Sequence, residues 1–122
     1  MSQRPNKVAE AIKRAVSDLM LHGIKDERVH AGMASVTRVE VTGDLRHARI
    51  YVSIFGSTEE QEEAMAGLNS ALGYIRSEVG KRVPLRFTPE LRLVHDLSIA
   101  KGSEVLELMD RIAREDAARA NG

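Results

Sequence analysis

Between Met65 and Phe87 the chain carries an apolar stripe at helical spacing that is broken once and then turns basic. Met65, Leu68, Leu72, Ile75 and Val79 recur at intervals of three and four, so one face is apolar on both sides of a break at Ala71-Leu72-Gly73. The break therefore falls inside a packed helical pair. Glycine in a helix interior costs about 1 kcal/mol relative to alanine, so Gly73 predicts a kink or a close approach by another backbone. Arg76, Lys81, Arg82 and Arg86 follow it. A helix N-terminus re-exposed at a kink offers free N–H groups, and with cations just downstream that combination suits a phosphate backbone.

The flanking sequence supplies the rest of one domain. Val8, Ile12, Val16, Leu19 and Met20 share a helical face, with Arg4, Lys7, Lys13 and Arg14 largely off it, which predicts a first helix over about residues 5–22 closed by Gly23. A polar connector, 24–32, has Asp26-Glu27-Arg28 at its centre. From Ser35 the period changes to two. Thr37, Val39 and Val41 alternate with Arg38 and Glu40, and Ala48, Ile50, Val52 and Ile54 alternate with Arg49, Tyr51, Ser53 and Phe55, giving two strands joined through Thr42-Gly43-Asp44.

Ser57 and Glu60 have capping-box spacing, and Glu59, Glu60, Glu62 and Glu63 fall where a helix dipole favours anions. That places a helix up to the break and a second segment over about 72–81, stopped by Val83-Pro84. A strand over about 90–95 is reached from the second strand through these helices, so it should run parallel to it. Val105, Leu106, Leu108, Met109 and Ile112 predict a terminal helix from about Gly102, with 113–122 as a frayed tail. The expected architecture is a single α+β domain over residues 1–112: helix, strand, strand, kinked helix pair, strand, and a C-terminal helix. Helices cover one sheet face.

Net charge is zero, but the sum conceals a segregation. Residues 1–58 hold nine Lys/Arg against six Asp/Glu, and residues 64–102 hold six against three; the balancing acids sit in the Glu59–Glu63 run and after residue 102. Screening limits attraction to about 8 Å at physiological salt, so a neutral total is compatible with a basic face. Cysteine is absent, which excludes a disulfide framework, a thiolate metal site and a cysteine nucleophile. No apolar run approaches the roughly 18 residues of a membrane span, and the N-terminus lacks a signal-peptide core, so a soluble, cytoplasmic protein is expected.

Catalytic chemistry finds little footing. Asp44 and His47 lie in the hairpin turn, where an aspartate bonds its own backbone and a histidine is simply exposed. His95 and Asp96 are neighbours at a strand end and point to opposite faces. His22, His30, His47 and His95 show no metal-ligand spacing, and no Gly-x-x-x-x-Gly-Lys loop occurs, so no metal or cofactor is expected. Tyr51 and Phe55 could stack bases from the outer sheet face, but packing under the terminal helix is the expectation for them. A basic stripe beside an exposed helix end remains the main functional signal, and it points to nucleic acid.

Ser70-Ala71-Leu72-Gly73-Tyr74-Ile75-Arg76, then Leu85-Arg86-Phe87-Thr88-Pro89-Glu90-Leu91 and Asp96-Leu97-Ser98-Ile99, resemble the ribosome-binding factor A family of bacterial small-subunit maturation factors. Asp44-Leu45 with Ala48-Arg49-Ile50-Tyr51-Val52-Ser53 resembles that family's hairpin. The resemblance spans about residues 4–112 and keeps several separated motifs in order. One departure is Glu27, where the family often has proline in Asp-Pro-Arg.

The resemblance implies a K-homology type II fold with an Ala-x-Gly interhelical kink, here Ala71-Leu72-Gly73. It also implies binding of the immature 30S subunit near the decoding-region neck, assistance in processing the 16S rRNA precursor at its 5′ end region, a role in cold adaptation, and release by a partner GTPase. On this reading the chain is a non-catalytic, monomeric assembly factor. Ala71 and Gly73 would admit the RNA backbone, and Arg76, Lys81, Arg82 and Arg86 would neutralise phosphates. Arg4, Lys7, Lys13 and Arg14 would form a second patch if the first helix lies alongside. The rival reading is a protein-interaction module that docks an acidic partner through the basic face, and an enzyme ranks third.

Overall fold

In a computed structural model of the chain, which describes residues 3–22 and 24–97, the first apolar stripe forms α1 over Gln3–His22. Val8, Ile12, Ala15, Val16, Leu19 and Met20 are buried at the three-and-four spacing that selects one helical face. The two alternating segments form β1, Ala34–Val41, and β2, His47–Ile54, paired antiparallel from Ala34↔Ile54 to Val41↔Ala48. Their connection runs through five residues rather than three. Thr42 and Asp44 close it: the Asp44 carboxylate accepts from the Thr42 hydroxyl at 2.6 Å and from the Arg46 amide at 3.1 Å. Those bonds hold the Asp44 carboxyl below its ordinary range, and the turn role predicted for this residue is the one it has.

The capping box forms as its spacing predicts. Glu60 N–H donates to Ser57 Oγ at 3.2 Å and Ser57 N–H donates to Glu60 Oε1 at 3.1 Å, starting α2 at Thr58–Ser70. After the break, α3 covers Leu72–Arg82. Val83 ends it in an extended conformation (φ −114°, ψ 109°), as the residue before a proline must. β3, Glu90–His95, pairs parallel to β2 from His47↔Glu90 to Val52↔His95, giving a mixed sheet of order β1-β2-β3.

Alternation along β2 sends Ala48, Ile50, Val52 and Ile54 into a core shared with Leu68, Ile75, Val79, Leu91, Leu93 and the α1 stripe, so the helices lie on one side of the sheet. Burying a side chain such as Ile50 or Leu68 contributes about 1.5–3 kcal/mol. The register of β1 slips at Thr37, between Val36↔Val52 and Arg38↔Tyr51. The displaced Thr37 hydroxyl donates to the Asp96 carboxylate at 2.7 Å and also lies 3.3 Å from the Tyr51 carbonyl, tying the bulge across β2 to the residue that follows β3. The terminal helix expected from Gly102, the tail 113–122 and the helix-closing Gly23 lie outside the described residues. Phe55 departs from expectation: it is 87% exposed rather than packed.

Candidate nucleic-acid interface

Ala71 is the joint between the two helices. Its backbone (φ −90°, ψ 5°) lets its N–H bond the Gly67 and Leu68 carbonyls at 3.0 and 3.1 Å, while its own carbonyl accepts from Ile75 at 2.9 Å. One residue thus serves as the end of α2 and the start of α3. Alanine has no oxygen with which to cap a helix, and α3 begins with no side-chain cap for the positive end of its dipole. Gly73, in this first turn, is exposed, and a Cβ added to it would meet nothing within 4 Å. The kink predicted at this position is present, and among the described residues nothing beyond the helix's own backbone lies within 4 Å of that Cβ position. The space beside it is open.

The cations grouped by the sequence spread out around α3, because each residue advances about 100° around a helix. Arg76 turns toward the loop before β3. Its Nε donates to the Pro89 carbonyl at 3.1 Å and its Nη2 to the Thr88 carbonyl at 2.9 Å. Arg82 turns the other way, toward α1, with Nη1 2.6 Å from Asp18 Oδ2 and Nε 3.8 Å from Glu78. That bond, together with His22, holds the Asp18 carboxyl below its ordinary range. Lys81 is exposed and only loosely engaged, 3.9 Å from Glu78. Arg86 is exposed in the loop, its guanidinium 5.6 Å from the Phe87 ring centroid.

The Asp18–Arg82 pair lays α1 alongside α3, which was the condition for the second patch. Lys7 and Arg14 are exposed on the stripe that leads to Asp18, whereas Lys13 is half-buried. Arg4 lies in the first turn of α1, with its side chain outside the described residues. Asp18 sits between the two patches and neutralises part of their junction.

Arg28 is the residue that the sequence reading missed. Asp26 grips its guanidinium twice, at 2.9 and 2.8 Å, and its backbone N–H at 3.0 Å. So held, Arg28 Nη2 donates to Ser70 Oγ at 3.2 Å, immediately before the kink. These bonds press the Asp26 carboxyl down to about 2. The signal was present as an Asp-x-Arg spacing, but its target forty-two residues on is a tertiary fact.

Among the described residues there is no group of three or more His, Asp or Glu side chains that could hold a metal, and no helix is long and apolar enough to cross a membrane. The architecture is that of a small α+β domain offering a basic, helix-lined surface around an uncapped helix start. The chain belongs to the ribosome-binding factor A family, whose model matches residues 4–109. It is 52% identical over 120 residues to the ribosome-binding factor A of Gloeobacter violaceus, spanning 98% of this chain and 93% of that one. The crystal structure of ribosome-binding factor A from Thermus thermophilus superposes with a TM-score of 0.63 at 22% identity, covering 75% of this chain and 94% of that one. A homology model of the Thermus thermophilus factor, fitted into the cryo-EM map of its complex with the 30S subunit, gives 0.58 at 23% identity, over 71% and 89% of the two chains.

Proposed function

We propose that this chain is a non-catalytic assembly factor of K-homology type II design that binds the immature 30S subunit through its 16S rRNA, assists late processing of the precursor at its 5′ end region, supports growth in the cold, and is released by a GTPase. The observation that carries this reading is the family match over residues 4–109, nearly the whole chain. The relative fitted into a 30S complex supports the choice of the small subunit as partner. Local geometry supports RNA as the ligand: an uncapped α3 start, open space at Gly73, and the guanidiniums of Arg28 and Arg76 on either side of the kink. A phosphate there would meet the positive end of the α3 dipole and positive charge together. Ala71 and Gly73 admit the backbone. Arg76, Lys81, Arg82 and Arg86 neutralise it, and Arg4, Lys7, Lys13 and Arg14 extend the field along α1.

Sedimentation of cell extract with detection of this chain tests the reading. Co-migration with free small subunits, and not with whole ribosomes, is expected. Replacing Arg76, Lys81 and Arg82 together by alanine should weaken subunit binding and flatten its salt dependence by up to about three units of log–log slope, at about 0.9 per lost contact on a duplex reference. A chain that migrates with free proteins and binds an acidic protein instead of rRNA would establish the interaction-module reading.

A further inference from the structure

We propose that the outer face of the sheet, opposite the helices, is a second RNA-binding surface, so that one domain can hold two RNA segments on opposite sides. The bridging part of this proposal rests on the helix-side reading above; the outer surface does not. Alternation along β2 puts His47, Arg49 and Tyr51 on the side away from the core. Strand register then assembles two rows across the sheet, Arg38–Tyr51–Val94 and Glu40–Arg49–Arg92.

The second row is costly for the fold. Arg49 and Arg92 are direct register partners in the parallel β2–β3 pair, and like charges facing each other across strands are destabilising. Glu40 is shared between two guanidiniums, 3.2 Å from Arg38 and 3.8 Å from Arg49. Arg92 is exposed and forms no ion pair among the described residues, although Glu90 lies on the same face. Three arginines and His47 thus share the face with Glu40, Glu90 and, just past the end of β3, Asp96, whose carboxylate the Thr37 hydroxyl engages. Folding does not account for the Arg49–Arg92 pair, whereas an anion lying between the two would.

The first row says what kind of anion. The Arg38 guanidinium lies over the Tyr51 ring, 4.1 Å from its centroid, and Arg38 keeps 61% of its side chain exposed. A planar cation stacked on a ring is a surface on which a base can lie, and forked guanidiniums one row away suit phosphate oxygens. One ring with a guanidinium stacked on it, and arginines one row away, describe a single-stranded RNA platform better than an acidic peptide site.

The test uses the full chain, uridylate oligomers, and the double variant Arg49→Gln/Arg92→Gln. The parent should bind two oligomers per chain and capture a fluorescent oligomer on a surface coated with a biotinylated one. The double variant should bind one and capture none, with its salt dependence flattened by about 1.4 units of log–log slope, at about 0.7 per single-strand contact. Its thermal transition should stay where it is or rise, because a like-charge pair has been removed. Thiouridine-containing oligomers should photocross-link to Tyr51.

Oligomer binding by the double variant equal to the parent's, undiminished capture by the variant, or cross-links confined to α3 would overturn the outer surface. So would a dimer of the free protein that the double variant dissociates, which would assign the face to a second copy of the chain. One oligomer per parent chain that the double variant loses would overturn only the bridging. If Lys81→Ala/Arg82→Ala leaves subunit co-sedimentation unchanged while the outer-face variant abolishes all oligomer binding, the outer surface stands and the helix-side assignment falls.

Discussion

Gly67 and Gly73 flank the same joint and do opposite things. Gly67 is buried near the end of α2, where an added Cβ would come within 2.9 Å of Val29 Cγ2 and 3.0 Å of Asp26 Oδ1. Gly73 is exposed at the start of α3, with nothing within 4 Å of the same added atom. Gly67 is glycine because the 24–33 connector crosses the helix there. Gly73 has no such internal reason, and its backbone is outside the left-handed region. The pair teaches how to separate a glycine kept for packing from one kept for something beyond the chain: the first has a neighbour that a methyl group would strike, the second has open space.

The largest effect expected from this contrast is at Gly67. Alanine there gains about 1 kcal/mol of helix propensity. The new methyl group collides with Asp26, which three bonds to Arg28 hold in place, and overpacking of that kind costs about 1–3 kcal/mol. Gly67→Ala should be destabilising in urea unfolding followed by circular dichroism, and Gly67→Val more so. A neutral Gly67→Ala would mean that the connector yields, and the contrast with Gly73 would collapse.

Arg76 probes the open side, one turn from Gly73. Arg76→Ala removes its two bonds to the Thr88 and Pro89 carbonyls and should cost about 1 kcal/mol of stability. Arg76→Lys keeps the charge without the fork, so it should recover more of the subunit affinity than of the stability. Equal recovery of both would make Arg76 a structural clamp only.

The closed side carries a signature confined to acid. Asp26 is lowered to about 2, first by the Arg28 side chain and then by its amide, against about 3.9 in an unfolded chain. A depressed folded-state value means that the stabilisation is whole above the unfolded value and is lost as pH falls from there toward about 2. Asp26→Asn should therefore be less stable than the parent near neutrality and show a shallower decline between roughly pH 4 and pH 2. Parallel acid-unfolding curves would detach the Asp26–Arg28 contact from the stability of the connector.

What the sequence made legible follows from how local each signal is. Val8 through Met20, Ser57 with Glu60, and Val83-Pro84 act within a few residues, and each element they predict is present. The parallel placement of β3 followed from chain connectivity alone. The directions of the cations were not legible, because Arg76 and Arg82 answer to Pro89 and Asp18, partners fixed only by the finished packing. Gly67 was passed over for the same reason. Its constraint is Asp26, far away in sequence, whereas Gly73 drew attention by interrupting a visible stripe. Thr37 looked like an ordinary strand residue until its bulge brought it to Asp96.

The smallest change in stability is expected at Gly73, and it is the most informative. Its backbone is one that alanine adopts without strain, and the space beside it is empty, so Gly73→Ala should stabilise the domain by about 0.4–1 kcal/mol by restricting the unfolded chain. Gly73→Asp adds an anion to the first turn of α3, where the helix dipole tolerates it, so it too should fold. The two variants should part only on RNA. At equal folded fraction Gly73→Asp should lose co-sedimentation with free small subunits well beyond Gly73→Ala, because its carboxylate faces the phosphates that the uncapped turn would otherwise receive. Precursor 16S rRNA should accumulate in the cold in step with that loss. An Asp variant that folds, sediments with free subunits like the parent and supports growth in the cold would make the open space at Gly73 mere surface and remove the kink from the RNA interface.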